Sequence, residues 1–182
     1  LIQRVGLTLE TRVTFDTQKS YMTDPIQNIL SLEAAIAYRL EMAAQGKRIV
    51  LTNGCFDLLH FGHLNYLRES AMLGDTLIVG VNSDWSVKEL KGTARPINIE
   101  QHRAYALASL KAVCRTFIFQ GPRFHNEIAQ IRPDIYTKAG DYTIDTLPAS
   151  EREALKAVGT DVRFLPFLEG HSTTQTIEHI NR

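Results

Sequence analysis

The chain has 182 residues, of which 44% are apolar and 22% charged, with 20 basic and 20 acidic side chains and a formal net charge of zero. That length suits one domain with a real core plus an appendage, and the composition excludes a disordered chain. Balanced charge removes the basic field that steers binders of nucleic acid or anionic membrane, so neither partner is expected and small-molecule chemistry is favoured.

Residues 1 to 28 lack a clear period and carry the turn-like "TDP", so they read as an N-terminal extension, followed by one domain over 29 to 182. No signal-peptide core or membrane-length apolar run is present, and the two cysteines, Cys55 and Cys114, both lie in apolar stretches. A reducing, cytoplasmic setting is therefore expected. Ser31 can cap a helix with Leu32, Ile36 and Leu40 on one face, ending near Gly46.

A strand over 48 to 53 follows, then a helix from about Gly62 to Leu73, and a second strand "TLIVGVN" over 76 to 82, rich in branched residues. A helix from about Ile99 to Leu110 leads to "TFIFQ", "HNEIAQIR" to "DIYTKAG", "REALKAVG" to "VRFLPF", and a last helix is expected from about Thr173 to Ile180. Five strands alternating with helices imply an α/β fold: a five-stranded parallel sheet with helices on both faces, in three layers.

In such a sheet ligands bind beyond the carboxyl ends of the strands. "NGCFDLLHFGH", residues 53 to 63, leaves the first long strand at that end. Asn53 and Gly54 allow a tight turn with exposed N–H groups, and His63 falls in the first turn of a helix whose N-terminus attracts anions. His60 lies one turn earlier, and Gly62 leaves room for both imidazoles to meet one polyphosphate. Two loop histidines that only cap a helix would look the same in isolation. A zinc site made of Asp57, His60 and His63 lacks a fourth ligand, and Cys55 as a nucleophile is weaker still, because a cysteine after a strand is ordinarily buried and inert. No metal ligand is assigned.

Two further segments point the same way. "KELKGTARPIN", residues 88 to 98, reads as a basic loop that carries Lys88, Lys91 and Arg95 over the same edge. "EGHSTTQTI", residues 169 to 177, opens into the last helix, where Ser172 or Thr173 would cap it or bind an anion. Neither the Walker phosphate loop nor G-x-G-x-x-G is present.

Taken together, "NGCFDLLHFGH", "VNSD", "KGTARP", "KAGDY" and "GHSTT" resemble the nucleotidyltransferase superfamily marked by H-x-G-H. Within it the chain is similar to the cytidylyltransferase-like group, on the branch of the heptose 1-phosphate adenylyltransferases, over about residues 29 to 181. The resemblance implies a Rossmann-like nucleotidyltransferase fold, transfer of an adenylyl group from ATP to D-glycero-β-D-manno-heptose 1-phosphate, magnesium arriving with ATP, and a homodimer. A cytidylyltransferase acting on a polyol phosphate, or a silent nucleotide-binding regulator, is the alternative.

Carried over by motif, His60, His63 and Lys91 are implied to be catalytic, the histidines on the triphosphate and Lys91 near the α-phosphate. Asn53, Gly54, Cys55, Phe56, Gly62, Ser172, Thr173 and Thr174 are implied to bind nucleotide. Asp57, Arg95, Lys138 and Asp141 are implied to bind substrate, Lys138 and Asp141 near base or sugar. Departures from the family pattern are Ala139 at a usual glycine, Cys114 at a usual aspartate, and a segment "TIDTLPASEREALKAVG" without the expected glycine and glutamate pattern.

Overall fold

The computed structural model describes residues 24 to 140 and 142 to 166. A short 3-10 turn, Pro25–Asn28, leads into β1 (Ile29–Leu30), and α1 (Leu32–Ala44) follows. Ser31 caps α1 as its sequence position suggests, its hydroxyl oxygen accepting from the Ala34 N–H at 3.2 Å. The chain continues through β2 (Ile49–Gly54), α2 (Phe61–Ala71), β3 (Thr76–Asn82), α3 (Asp84–Lys91), α4 (Glu100–Ala108) and β4 (Arg115–Phe119). It then forms α5 (His125–Ile131), β5 (Ile135–Ala139), α6 (Ala149–Val158) and β6 (Asp161–Leu165).

All strand pairs are parallel, in the order β1-β4-β3-β2-β5-β6. The sheet therefore has six strands where the sequence indicates five. The addition is β1, whose Ile29 and Leu30 sit opposite Thr116 and Phe117 of β4. Two residues are too few to display a strand period, so their state is decided by the edge they dock on. A second correction concerns 88 to 98, read as a loop. Its first half is the end of α3, which starts at the cap Ser83, whose hydroxyl oxygen accepts from the Ser86 N–H at 3.2 Å, and stops at Gly92.

Alternation along the strands divides the core in two. Ile49 and Leu51 of β2 join Ala35 and Met42 of α1, Ile128 and Ile131 of α5, and Leu155 of α6 on one face. Val50, between them, joins Leu67 of α2, Val79 and Val81 of β3, and Leu107 of α4 on the other. Successive strand side chains point to opposite faces, so a strand buried on both sides reads as the unbroken apolar run seen at 49 to 51. Helices cover both faces, which is the expected three-layer arrangement.

Close packing leaves no spare volume under α5. A methyl group on Gly80 of β3 would lie 2.6 Å from two ring carbons of Phe124, itself fully buried against Phe119 and Phe117. Gly80 is therefore the gap into which the Phe124 ring fits. The ring anchors the start of α5 next to the carboxyl ends of the strands.

Candidate active site

From β2 the chain winds to β3 and β4 on one side, and later to β5 and β6 on the other. The crevice between β2 and β5 is thus a point where strand order reverses, the place where open α/β sheets bind ligands. A cleft of about 530 Å³ opens there, bounded by the turn after β2, His60 and His63 on one side and Lys138, Arg123 and Glu151 on the other. Lys91 and Arg95 also line it, so the structure gathers onto one surface those predicted residues that come from β2, α2, α3 and β5.

The turn after β2 is built around Phe56, which adopts a positive φ of 47° and is buried. Its ring folds back so closely that a methyl group on Gly54 would meet it at 3.0 Å, and it contacts the His63 ring edge-on at 5.4 Å between centroids. A side chain at Gly54 would therefore press on the Phe56 ring. His60 occupies the N-cap position of α2 but makes no side-chain capping bond, so a purely structural capping role does not explain it. The two imidazoles stack, centroids 3.8 Å apart and planes 29° from parallel.

That stacking has an electrostatic consequence. Burial lowers the His63 pKa to about 4, the neighbouring His60 lowers it too, and the Leu58 backbone only partly opposes them. At neutral pH His63 is an uncharged imidazole, able to donate one N–H, at the N-terminus of a helix. A polyanion brought into the cleft would favour the protonated form.

Asp57 and Arg95 form a buried pair at 2.5 Å. The Asp57 carboxylate also accepts from the backbone N–H groups of Ile97 at 2.8 Å and Asn98 at 2.9 Å, while the Asn98 amide donates to the Asp57 carbonyl at 2.8 Å. Burial alone would raise the Asp57 pKa, but these N–H donors and the Arg95 guanidinium hold it below the usual carboxylate range. Two of the four residues assigned to substrate, Asp57 and Arg95, thus pin the 95 to 98 segment to the β2 turn. Among the described residues, no three His, Cys, Asp or Glu side chains converge as a metal site.

Arg103 of α4 is a residue that sequence reasoning missed. Almost fully buried, it donates to the carbonyls of Cys55 at 2.5 Å and Asn98 at 2.9 Å and pairs with Asp84 at 2.8 Å. One side chain thus ties together the β2 turn, the start of α3 and the segment before α4. The available signal was its spacing, four residues before Leu107 on the apolar face of a helix, where an arginine needs several acceptors to be buried. Cys55 lies close to this network, and burial pushes its thiol pKa up although Lys91, Arg103 and Arg95 act against that. The raised value is contrary to what a nucleophile needs.

On the far side of the crevice, Lys138 and Tyr136 of β5 both donate to Asn53 Oδ1, at 2.8 Å and 2.6 Å. With its oxygen doubly engaged, Asn53 has its amide NH2 left for other partners. Burial lowers the Lys138 pKa, opposed by Glu151 and Cys55. Tyr136 is pushed well above its ordinary value by burial, with the Glu151 charge adding to the shift. Lys91, at the exposed end of α3, and Gly62, in the first turn of α2, take the positions expected of them at the rim and beside the histidines. Asp141, Ser172, Thr173, Thr174 and the expected last helix lie outside the described residues.

Comparison with known proteins agrees with this geometry. The chain is 48% identical over 140 residues to a "Bifunctional protein HldE" of Nitratiruptor sp., covering 77% of this chain and 29% of the relative. It is 44% identical over 156 residues to the protein of that name from Methylococcus capsulatus, covering 86% and 33%. The chain therefore spans about a third of the length of these relatives. Among solved structures it matches the lipopolysaccharide core biosynthesis protein of Thermoplasma volcanium at 30% identity and TM-score 0.56, over 69% of this chain and all of that one. The pantoate-beta-alanine ligase of Francisella tularensis, at 16% identity and TM-score 0.52 over 76% of this chain and 66% of the ligase, shares the fold. The model of the cytidylyltransferase-like family matches residues 51 to 179, from β2 and the stacked histidines at the start of α2 through the "GHSTT" segment, and the chain belongs to that family.

Proposed function

We propose that this chain transfers an adenylyl group from ATP to a sugar 1-phosphate, D-glycero-β-D-manno-heptose 1-phosphate, releasing pyrophosphate. The observation that carries the reading is the stacked His60 and His63 pair at the N-terminus of α2, facing the crevice between β2 and β5 together with Lys91. The names of the relatives, HldE and lipopolysaccharide core biosynthesis protein, favour a heptose acceptor over a polyol phosphate.

In the proposed reaction an oxygen of the sugar phosphate attacks the α-phosphorus of ATP in line. A new P–O bond forms as the bond to the bridging oxygen breaks, and that oxygen leaves with pyrophosphate. No covalent enzyme intermediate is needed, which suits a cleft whose one cysteine has a raised pKa. What the chain supplies is orientation and charge neutralisation. His60 and His63 donate to the triphosphate, Lys91 approaches the α-phosphate from the α3 rim, Asn53 presents its amide from the end of β2, and Lys138 presents its ammonium from β5 on the opposite wall. Ser172, Thr173 and Thr174 are assigned to the nucleotide phosphates on the family motif, and Asp141 to the base or sugar. Magnesium, bound to the ATP phosphates, would supply charge neutralisation there; Asp57, whose carboxylate accepts from Arg95, Ile97 and Asn98, would remain part of the protein's own network.

The deciding experiment measures pyrophosphate release with each ribonucleoside triphosphate and magnesium against heptose 1-phosphate, hexose 1-phosphates and glycerol 3-phosphate. Release confined to ATP with heptose 1-phosphate is the expected result. Release with CTP and glycerol 3-phosphate would transfer the chain to the polyol cytidylyltransferases. A homodimer, a cytoplasmic location and the division at residue 28 belong to the same proposal, and light scattering on the purified chain tests the first of them.

A further inference from the structure

Glu151, in the first turn of α6, is with Asp57 one of the two carboxylates among the described residues that line the cleft, and it is only 4% exposed. It lies in the segment where this chain departs from its family pattern. It accepts from the Phe124 N–H at 3.0 Å, so the ring that fills the gap over Gly80 also fixes where the carboxylate stands. A buried carboxylate is retained only where charge or hydrogen bonds compensate it. On the same side of the cleft stand Lys138 and, behind it on β5, Tyr136, both donating to Asn53.

We infer that Glu151 is a positioning residue: its buried carboxylate, on the same wall of the cleft as Lys138, holds the Lys138 ammonium in place on Asn53, so that the β5 wall offers a preformed cation and a fixed amide to the anionic substrate. Its role in turnover rests on the adenylyltransferase reading, but the electrostatic arrangement does not. Lys138 is faced by Glu151 from α6, Cys55 from the β2 turn and Tyr136 from its own strand, and its ammonium lies 5.6 Å from the ring centres of Tyr136 and Tyr142. Glu151 is faced by Tyr136 and Lys138 from β5 and by Glu127 from α5, the latter also under the influence of His125. Burial drives Lys138 towards its neutral form and Glu151 opposes this first among its neighbours. Neutralising Glu151 therefore lowers the Lys138 pKa.

The ammonium can be read directly by NMR titration of protein labelled in its lysine side chains, with the Lys138 signal identified by its disappearance in Lys138→Arg. In Glu151→Gln that signal should titrate about one pH unit lower, a tenfold change in its protonation constant. Pyrophosphate release by Glu151→Gln should then show its alkaline limb displaced downward by a similar amount, a change that mere loosening of α6 would not produce. Glu151→Asp keeps the charge and should show a smaller shift in the same direction, which also serves if Glu151→Gln does not fold. An unchanged Lys138 titration in a folded Glu151 variant overturns the inference. If the wild type releases no pyrophosphate with any acceptor, the adenylyltransferase reading fails while the titration still decides the role of Glu151.

Discussion

At the scale of single residues the histidine pair dominates. His63→Ala should lower kcat by roughly 10²-fold or more, the scale for removing one oriented donor from a transition state, with a small change in melting temperature. Pyrophosphate release and thermal melts measure the two together, and unaltered turnover would remove His63 from the mechanism. The buried imidazole also has a pH signature. Its pKa of about 4 lies below the ordinary 6.5, so between these values the unfolded chain binds the extra proton and the folded one does not. Stability present above about pH 6.5 is then lost as pH falls towards 4, by roughly 2–3 kcal/mol after allowance for the ring's partial exposure. Urea melts should show that acid loss reduced in His63→Gln. Addition of ATP should move the His63 titration upward, readable by NMR.

At the scale of elements, the site depends on how α4 and α5 hold the strand ends. Arg103→Met would leave the Cys55 and Asn98 carbonyls without their donor, and each unsatisfied buried acceptor costs about 1–3 kcal/mol. A loss of roughly 2–4 kcal/mol in denaturant melts is expected, with weakened ATP binding because the β2 turn loses its brace. Gly80→Ala should cost about 1–3 kcal/mol by forcing the Phe124 ring out of its gap. That change should also disturb the Phe124 N–H bond to Glu151. Elements with a strong signal were legible in the sequence: α1 through its Ser31 cap, and β2 and β3 through unbroken apolar runs. Helix α3 was not, since within Asp84–Lys91 only Ser86 and Val87 are buried and its lysines read as a solvated loop.

For the whole molecule the question is what closes the sheet. The edge strand β1 covers Thr116 and Phe117 of β4, and Asn28 just before it accepts from Arg115 at 2.9 Å. Deleting the chain through Leu30 should cost about 2 kcal/mol, the scale of two half-buried aliphatic side chains, and expose a parallel edge open to pairing with other chains. Thermal melts and light scattering would show it as a lower transition with faster aggregation. A truncated chain equally stable and monodisperse would make β1 incidental.

What the sequence determined by itself was what is local and repetitive. Apolar runs and helical spacing established alternating strands and helices, and "NGCFDLLHFGH" with its companion motifs marked the candidate site, because short-range geometry forces a glycine turn and a helix start to bring His60 and His63 together. What only the tertiary structure decided was long-range. Ile29–Leu30 is a strand because β4 offers an edge, Asp57 has taken Arg95 as its partner because the 95 to 98 segment folds back on it, and Arg103 and Glu151 matter because chain segments 48 and 27 residues away supply their partners. Such pairings depend on which strand ends the fold brings side by side, and no period or motif in one chain records that.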